Sequence, residues 1–223
     1  QSRNYRIHEQ FLKHVDILPE NVHIPDGSVS EQEVSEYCAA YDKSIRKIDL
    51  MIIGFGEQGQ VGFNEQGSYA KSPTRLVELS HNSRKTQSNL FFGLENTPKM
   101  AITMGLGTIM RADKIVLMAW GEDKATAVQQ IVEEEISDMV PASHLQEHPN
   151  IELVIDETAA EKLTREQTPW LVGPCEWTPK FVRKAVVWLC GIVNKPILKL
   201  TYKDYIENSL GQWLEKCGTY DKV

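Results

Sequence analysis

The chain has 223 residues, 41% of them hydrophobic and 25% charged, with a formal net charge of −7. That length suits one domain with an appendage, or two small domains, and can bury a core without disulfides or metal. The acidic balance excludes a global attraction for nucleic acid or anionic membrane, so an anionic ligand would need a local basic or dipolar pocket.

In chain order, Tyr5, Phe11, Leu12 and Val15 form an apolar stripe that predicts a helix over Asn4 to Val15. Two prolines make Leu18 to Gly27 a loop. Ser30, with Glu33 three residues on, predicts a capping box opening a second helix. Asp49 to Gly54 is a short continuous apolar run bounded by glycine. It predicts a strand buried on both faces, with Leu50–Ile53 interior to a parallel sheet. Leu76 to Leu79, Met100 to Met104, Lys114 to Trp120 and Glu152 to Ile155 predict four more strands. Helical stripes follow at Ala125, Val128, Ile131 and Val132, and at Ala159, Ala160 and Leu163. Strands alternating with helices imply an α/β class: a three-layer α/β/α arrangement with a largely parallel, Rossmann-like sheet.

The composition changes after Arg165. Trp170, Trp177 and Trp188 crowd the next stretch, and Thr178-Pro179 reads as an N-cap followed by proline at the first helical position. Phe181, Val182, Ala185, Val186, Trp188 and Leu189 then give a wide apolar face, and Tyr202 to Leu214 predicts a last short helix or two. Residues 1–165 are therefore expected to form the α/β domain. Residues 166–223 are expected to form a helical, Trp-rich extension or a linker to a further domain, its tryptophans anchored against the sheet. The four cysteines, Cys38, Cys175, Cys190 and Cys217, form no C-x-x-C pair and fit no zinc spacing. Reduced thiols, no signal-peptide pattern and no apolar run near ~20 residues make the cytoplasm the expected compartment.

The chemistry-bearing segment follows the first strand. Gly54, Gly56 and Gly59 match G-x-G-x-x-G after a strand, one reading of which is a dinucleotide-binding turn. That motif must open directly into a helix, whereas Gly62, Asn64, Gly67, Ser68 and Pro73 follow here. A second reading is a glycine-rich turn shaped only for chain geometry. His144 and His148, four apart, lack an intervening carboxylate of the H-E-x-x-H kind, so no metal site is expected, and His81 reads as a capping or core histidine.

The run Gly54-x-Gly56-x-Gln58-Gly59-Gln60-Val61-Gly62-Phe63-Asn64-Glu65-Gln66 resembles the G-x-G-x-D-G-H-I-A-F-N-E-P of glucosamine-6-phosphate deaminases. Thr74-Arg75, Thr103-Met104-Gly105-Leu106-Gly107-Thr108, Gly121-Glu122-Asp123-Lys124-Ala125, Leu145-Gln146-Glu147-His148-Pro149 and Ile155-Asp156-Glu157 continue the resemblance in order. The Trp-rich end resembles a longer bacterial subgroup in which a second, deacetylase-like domain follows, so a fused downstream domain is implied. The resemblance implies a sugar phosphate of the glucosamine 6-phosphate class as ligand, no cofactor, and a reaction joining aldose–ketose isomerisation to ammonia release. It makes Glu65 the family glutamate and Lys124 the phosphate-binding lysine. It matches Arg75, with Ser68 beside it, to an effector site between subunits, which would make the protein a homo-oligomer.

Gln58 and Gln60 stand at the family's aspartate and histidine. Glutamine does not titrate, so neither can act as acid or base, although both can hydrogen-bond a sugar hydroxyl. The family's first phosphate loop and its D-E-Y-like segment have no counterpart in residues 1–30. Other readings stay open: Glu65 as a turn or capping carboxylate, Lys124 as solvated beside a helix start, and Arg75 as a surface arginine. For the whole, the open readings are a deaminase/isomerase active in full-length form and a non-catalytic binding or scaffold domain of the same fold. A sugar-lactone hydrolase is a lesser alternative, and a dinucleotide enzyme is disfavoured. Glu65 is expected to lie within reach of Gln60 and to face a cleft.

Overall fold

The structure, a computed structural model, describes residues 3–211 and 213. The chain divides into two compact units, Gln1–Ala159 and Ala160–Val223. No helix among the described residues is long and apolar enough to cross a membrane.

The first unit opens with α1 (Arg3–Gln10) and a separate 3-10 turn, Leu12–His14. The single helix expected to Val15 breaks because Phe11, at φ −133° and ψ −63°, leaves the helical region. Helix α2 (Val34–Ser44) begins without the expected capping box. The Ser30 hydroxyl donates to the Glu33 carboxylate at 2.7 Å, and the Ser30 carbonyl receives the Glu33 and Val34 N–H groups. A turn therefore feeds the helix.

Strands β1 (Met51–Gly54), β2 (Arg75–Glu78) and β3 (Met100–Thr103) lie where expected. So do β4 (Ile115–Ala119) and β5 (Ile151–Ile155). Three of them make a parallel sheet in the order β1-β4-β5, with Met51 opposite Ile115 and Ile115 opposite Ile151. Strand β4 is central, burying Ile115, Leu117 and Ala119 on alternate positions. The chain belongs to the α/β class, with helices α3 (His81–Gln87), α4 (Leu106–Ile109), α5 (Ala125–Glu133) and α6 (Glu157–Ala160) between and after the strands.

Two expectations are corrected. Among the described residues β1 is an edge strand, parallel but paired only with β4, and Leu50 and Ile52 are 51% and 63% exposed. Its apolar run suits an interior strand, yet one side of its ladder is open. Strands β2 and β3 pair antiparallel in a sheet of their own, Arg75 opposite Thr103. A short apolar run carries no strand direction, so this pairing could not be read from periodicity.

The Thr103–Thr108 segment earns its glycines by close approach. A Cβ on Gly105 would lie 2.1 Å from the Ser72 carbonyl oxygen, and one on Gly107 would lie 2.8 Å from the Lys71 backbone. The Gly107 N–H donates to the Ser72 carbonyl at 2.9 Å. Asp42 of α2 ties the region together, accepting from the Thr74 N–H at 2.9 Å and from the Thr108 hydroxyl at 3.0 Å.

The second unit holds α7 (Thr164–Gln167), α8 (Pro179–Val193) and α9 (Tyr202–Glu207). Thr178 caps α8 as expected, its hydroxyl accepting from the Phe181 N–H at 3.3 Å, with Pro179 at the first helical position. The apolar face of α8 buries Ala185, Val186 and Leu189 in a core shared with Trp170, Leu200, Tyr205, Leu210 and Trp213. The tryptophans pack on one another within this unit: Trp170 stacks on Trp177 at 6.0 Å and meets Trp188 edge-on at 5.5 Å, and Trp177 lies 5.9 Å from Trp213. Helix α9 stops at Glu207, and Leu214, to which a last helix was expected to run, lies outside the described residues. Cys38, Cys175 and Cys190 are unbridged, and Cys217 also lies outside the described residues.

Asp204 anchors the start of α9. It accepts from the Thr201 N–H at 2.7 Å and from Lys195 at 2.7 Å. Chiefly the Lys195 bond, then the Thr201 N–H, lowers its pKa from 3.8 to about 2. A depressed folded-state pKa contributes stability that is present above the unfolded value and is lost as pH falls through the folded one. Asp204→Asn is therefore expected to flatten the acid limb of the unfolding curve between about pH 4 and pH 2. Urea titrations of both proteins across that window check this, and an acid limb unchanged in the variant contradicts it.

Candidate active site

Strand β1 ends at Gly54 and the chain doubles back on itself. Phe55 bridges Val61, and Val61 bridges Asn64. The Gly59 N–H donates to the Gly56 carbonyl, and the Gly56 N–H to the Gln60 carbonyl, both at 2.9 Å. Gly59 and Gly62 sit at φ +70° and +61°, where a side chain is strained, and a Cβ on Gly59 would also meet Val140 Cγ1 at 2.5 Å. No helix opens from Gly59; the next begins at His81. The helix N-terminus that a pyrophosphate-binding turn requires is absent there, in line with the sequence reading.

Asn64 holds this loop in place and is fully buried. Its amide nitrogen donates to the Val61 and Met104 carbonyls at 3.0 and 2.8 Å, and its oxygen accepts from Arg75 Nη1 at 2.9 Å. Arg75 also donates through Nη2 to the Ser68 hydroxyl at 3.2 Å. The structure thus brings Arg75 and Ser68 together, as an internal brace of the loop. Burial pushes the Arg75 pKa down, since its partners are neutral oxygens.

The Glu65 carboxylate makes no hydrogen bond to Gln60. Glu65 Oε2 accepts from the Ser80 N–H at 3.1 Å, while Gln60 Oε1 accepts from the Gln58 N–H at 3.0 Å. Ser80 caps α3, its hydroxyl accepting from the Ser83 N–H at 3.2 Å. Glu65 is therefore fastened to a helix start, and its second oxygen, Oε1, is buried with no hydrogen-bond partner. Gln58 is exposed.

A cleft of about 410 Å³ opens at the C-terminal end of β1. One wall is the loop, with Phe55, Gln60 and Phe63. Another is α3 and the turn after it, with Ser83, Thr86, Gln87, Leu90 and Phe91. Arg6 reaches it from α1. Ligands in open α/β sheets bind at this end of the strands. Its volume lies in the range of small-molecule sites, and its lining mixes aromatic and neutral hydrogen-bonding groups. Neither a carboxylate nor a histidine lines it.

Lys124 stands on the turn after β4 and is not among the lining residues. It pairs with Asp123 at the start of α5. That turn is tied to β5 by Asp156, which accepts from the Gly121 N–H at 3.1 Å and from the Ala159 N–H at 2.9 Å. These N–H donors, led by Ala159, hold the Asp156 carboxyl below the usual range. His81 is exposed at the first position of α3. His144 pairs with Asp138 at 2.7 Å. His148 Nε2 donates to the Ala112 carbonyl at 2.7 Å while its Nδ1 accepts from the Asn150 N–H. Among the described residues no group of three or more His, Cys, Asp or Glu could hold a metal ion.

Sequence reasoning missed Arg6, Ser83, Thr86 and Gln87. The last three were within reach: positions i, i+3 and i+4 share one helix face, here a polar one. Arg6 carried no such signal, because nothing local says which way α1 turns.

Residues 1–154 match the family model for glucosamine-6-phosphate isomerases and 6-phosphogluconolactonases. The chain belongs to that family. It is 47% identical over 214 residues to a glucosamine-6-phosphate deaminase-like protein of Bacteroides thetaiotaomicron, covering 95% of this chain and 32% of that one. It is 40% identical over 166 residues to a glucosamine-6-phosphate deaminase of Halothermothrix orenii, covering 73% of this chain and 68% of the other. The chain thus spans about a third of the first relative and about two thirds of the second. Among solved structures, a monomeric glucosamine-6-phosphate deaminase matches with a TM-score of 0.69 and 33% identity, over 73% of this chain and 68% of that one. A 6-phosphogluconolactonase of Thermotoga maritima, at 0.51 and 20% over 70% and 66%, shares the fold.

Proposed function

We propose that this chain is a deaminase-like domain that binds a hexosamine phosphate in the cleft beside β1 and, by itself, releases no ammonia. The observation that carries the reading is the lining of that cleft. It offers hydrogen-bonding amides and hydroxyls from Gln60, Ser83, Thr86 and Gln87, aromatic faces for the sugar ring, and one cation. It offers no group that titrates near neutrality, whereas proton transfer between adjacent sugar carbons, and ring opening, both need one. Gln58 and Gln60 stand where the family's aspartate and histidine would. Lys124, on the neighbouring turn, would have to leave Asp123 to meet a phosphate.

A second reading, an active deaminase/isomerase of amino-sugar metabolism completed by residues outside this chain, draws on Glu65. A buried carboxylate oxygen without a donor is costly and invites a partner. A ligand hydroxyl, or a side chain from another chain, would supply it.

Calorimetric titration with glucosamine 6-phosphate tests the binding reading. Saturation with a dissociation constant of about 1 mM or tighter is expected. Heats of dilution alone would contradict it.

A further inference from the structure

We infer that Arg6 of α1 is the residue that holds the phosphate of the ligand in this cleft. The inference rests on the reading of the cleft as a hexosamine-phosphate site and adds to it the group that recognises the anion. Arg6 is the one charged side chain among the lining residues, and the rest of the lining is neutral or apolar. Its guanidinium takes part in no hydrogen bond or ion pair among the described residues, so no internal bond must break before it meets a ligand. The acidic residue of its own helix, Glu9, is engaged elsewhere, pairing with Lys13 at 2.7 Å.

The other candidate cations are less available. Arg75 is committed to Asn64 and Ser68, Arg84 donates to the Leu94 carbonyl at 2.9 Å, and Lys124 is paired with Asp123. The chain carries a net charge of −7, so the field of the whole protein does not draw anions in, and a local cation must. Arginine suits the task, because its planar fork can give two parallel N–H bonds to two phosphate oxygens. The division of the cleft follows from this. The phosphate sits at the α1 side with Arg6, and the sugar hydroxyls face Gln60, Thr86 and Gln87 on the loop and α3. Phe55 and Phe91 border the ring.

The test is titration of the whole chain with glucosamine 6-phosphate and, separately, with unphosphorylated glucosamine. Wild type is compared with Arg6→Ala, Arg6→Gln and Arg6→Lys. Arg6 is exposed on a surface helix, and the glutamine variant keeps a long helix-compatible side chain, so a loss of fold is separated from a loss of charge by circular dichroism. Arg6→Ala and Arg6→Gln are both expected to weaken binding of the phosphorylated sugar by about tenfold or more. Arg6→Lys is expected to weaken it less, and all four proteins are expected to treat unphosphorylated glucosamine alike. Affinity for glucosamine 6-phosphate within about twofold of wild type in the alanine and glutamine variants would overturn the role of Arg6 and leave the cleft as a binding site. Absence of binding by the wild type would overturn both.

Discussion

Replacing Trp170 by alanine is expected to destabilise the second unit by about 3–5 kcal/mol. Trp170 is 6% exposed and is the hinge of the aromatic cluster, touching Trp177 on its face and Trp188 at its edge. Alanine removes the ring and leaves a cavity between α8 and the 169–177 stretch that surrounding helices can fill only in part. The indole nitrogen adds a second, separable expectation. Trp170 Nε1 is buried with no hydrogen-bond partner, so the ring is held for its apolar surface and not for its N–H. Trp170→Phe should therefore cost far less than Trp170→Ala, since it keeps an aromatic face and removes an unsatisfied donor. Urea titration followed by far-UV circular dichroism reads both. A loss of less than about 1 kcal/mol in the alanine variant would mean that the aromatic cluster does not hold this unit together.

Replacing Asn64 by alanine is expected to destabilise the first unit by on the order of 3 kcal/mol and to weaken ligand binding at the same time. Three hydrogen bonds end on this one buried amide, and they join the 61–64 turn, the end of β3 and Arg75. Alanine strips two carbonyls and a half-buried guanidinium of a partner each. Leaving a buried polar group unsatisfied costs about 1–3 kcal/mol, and partial hydration keeps the sum below the simple total. Because the same amide fixes the loop that forms one wall of the cleft, the loss should appear in both stability and affinity. A variant with full stability and full affinity would contradict the central place given to Asn64. Loss of stability with unchanged affinity would separate the loop's packing from the shape of the cleft.

All five strands were legible because each is a bounded apolar run, and the β1 loop was legible because its glycines announce a turn without a helix. The antiparallel pairing of β2 with β3 was not, since it depends on where the connection through α3 returns the chain. Nor was the open edge of β1, with Ile52 exposed on it, since a continuous apolar run reads the same whether one or two strands flank the ladder. In the second unit, Thr178-Pro179 marked the start of α8 correctly, yet periodicity could not say that its apolar face meets the unit's own tryptophans. At the site, the ordered motifs located the loop and the residue types showed that Gln58 and Gln60 cannot titrate. The meeting of Glu65 with Ser80, fifteen residues on, and the arrival of Arg6 from α1 are tertiary events with no local signature.

The most direct measurement is ammonia release from glucosamine 6-phosphate by this chain, made at concentrations where calorimetry shows the cleft occupied. With Gln58 and Gln60 in place of titratable groups, and Glu65 fastened to the start of α3, occupancy without ammonia release above the protein-free rate is the expected result. Release at about 1 per second or faster, the range of ordinary enzymes, would contradict it.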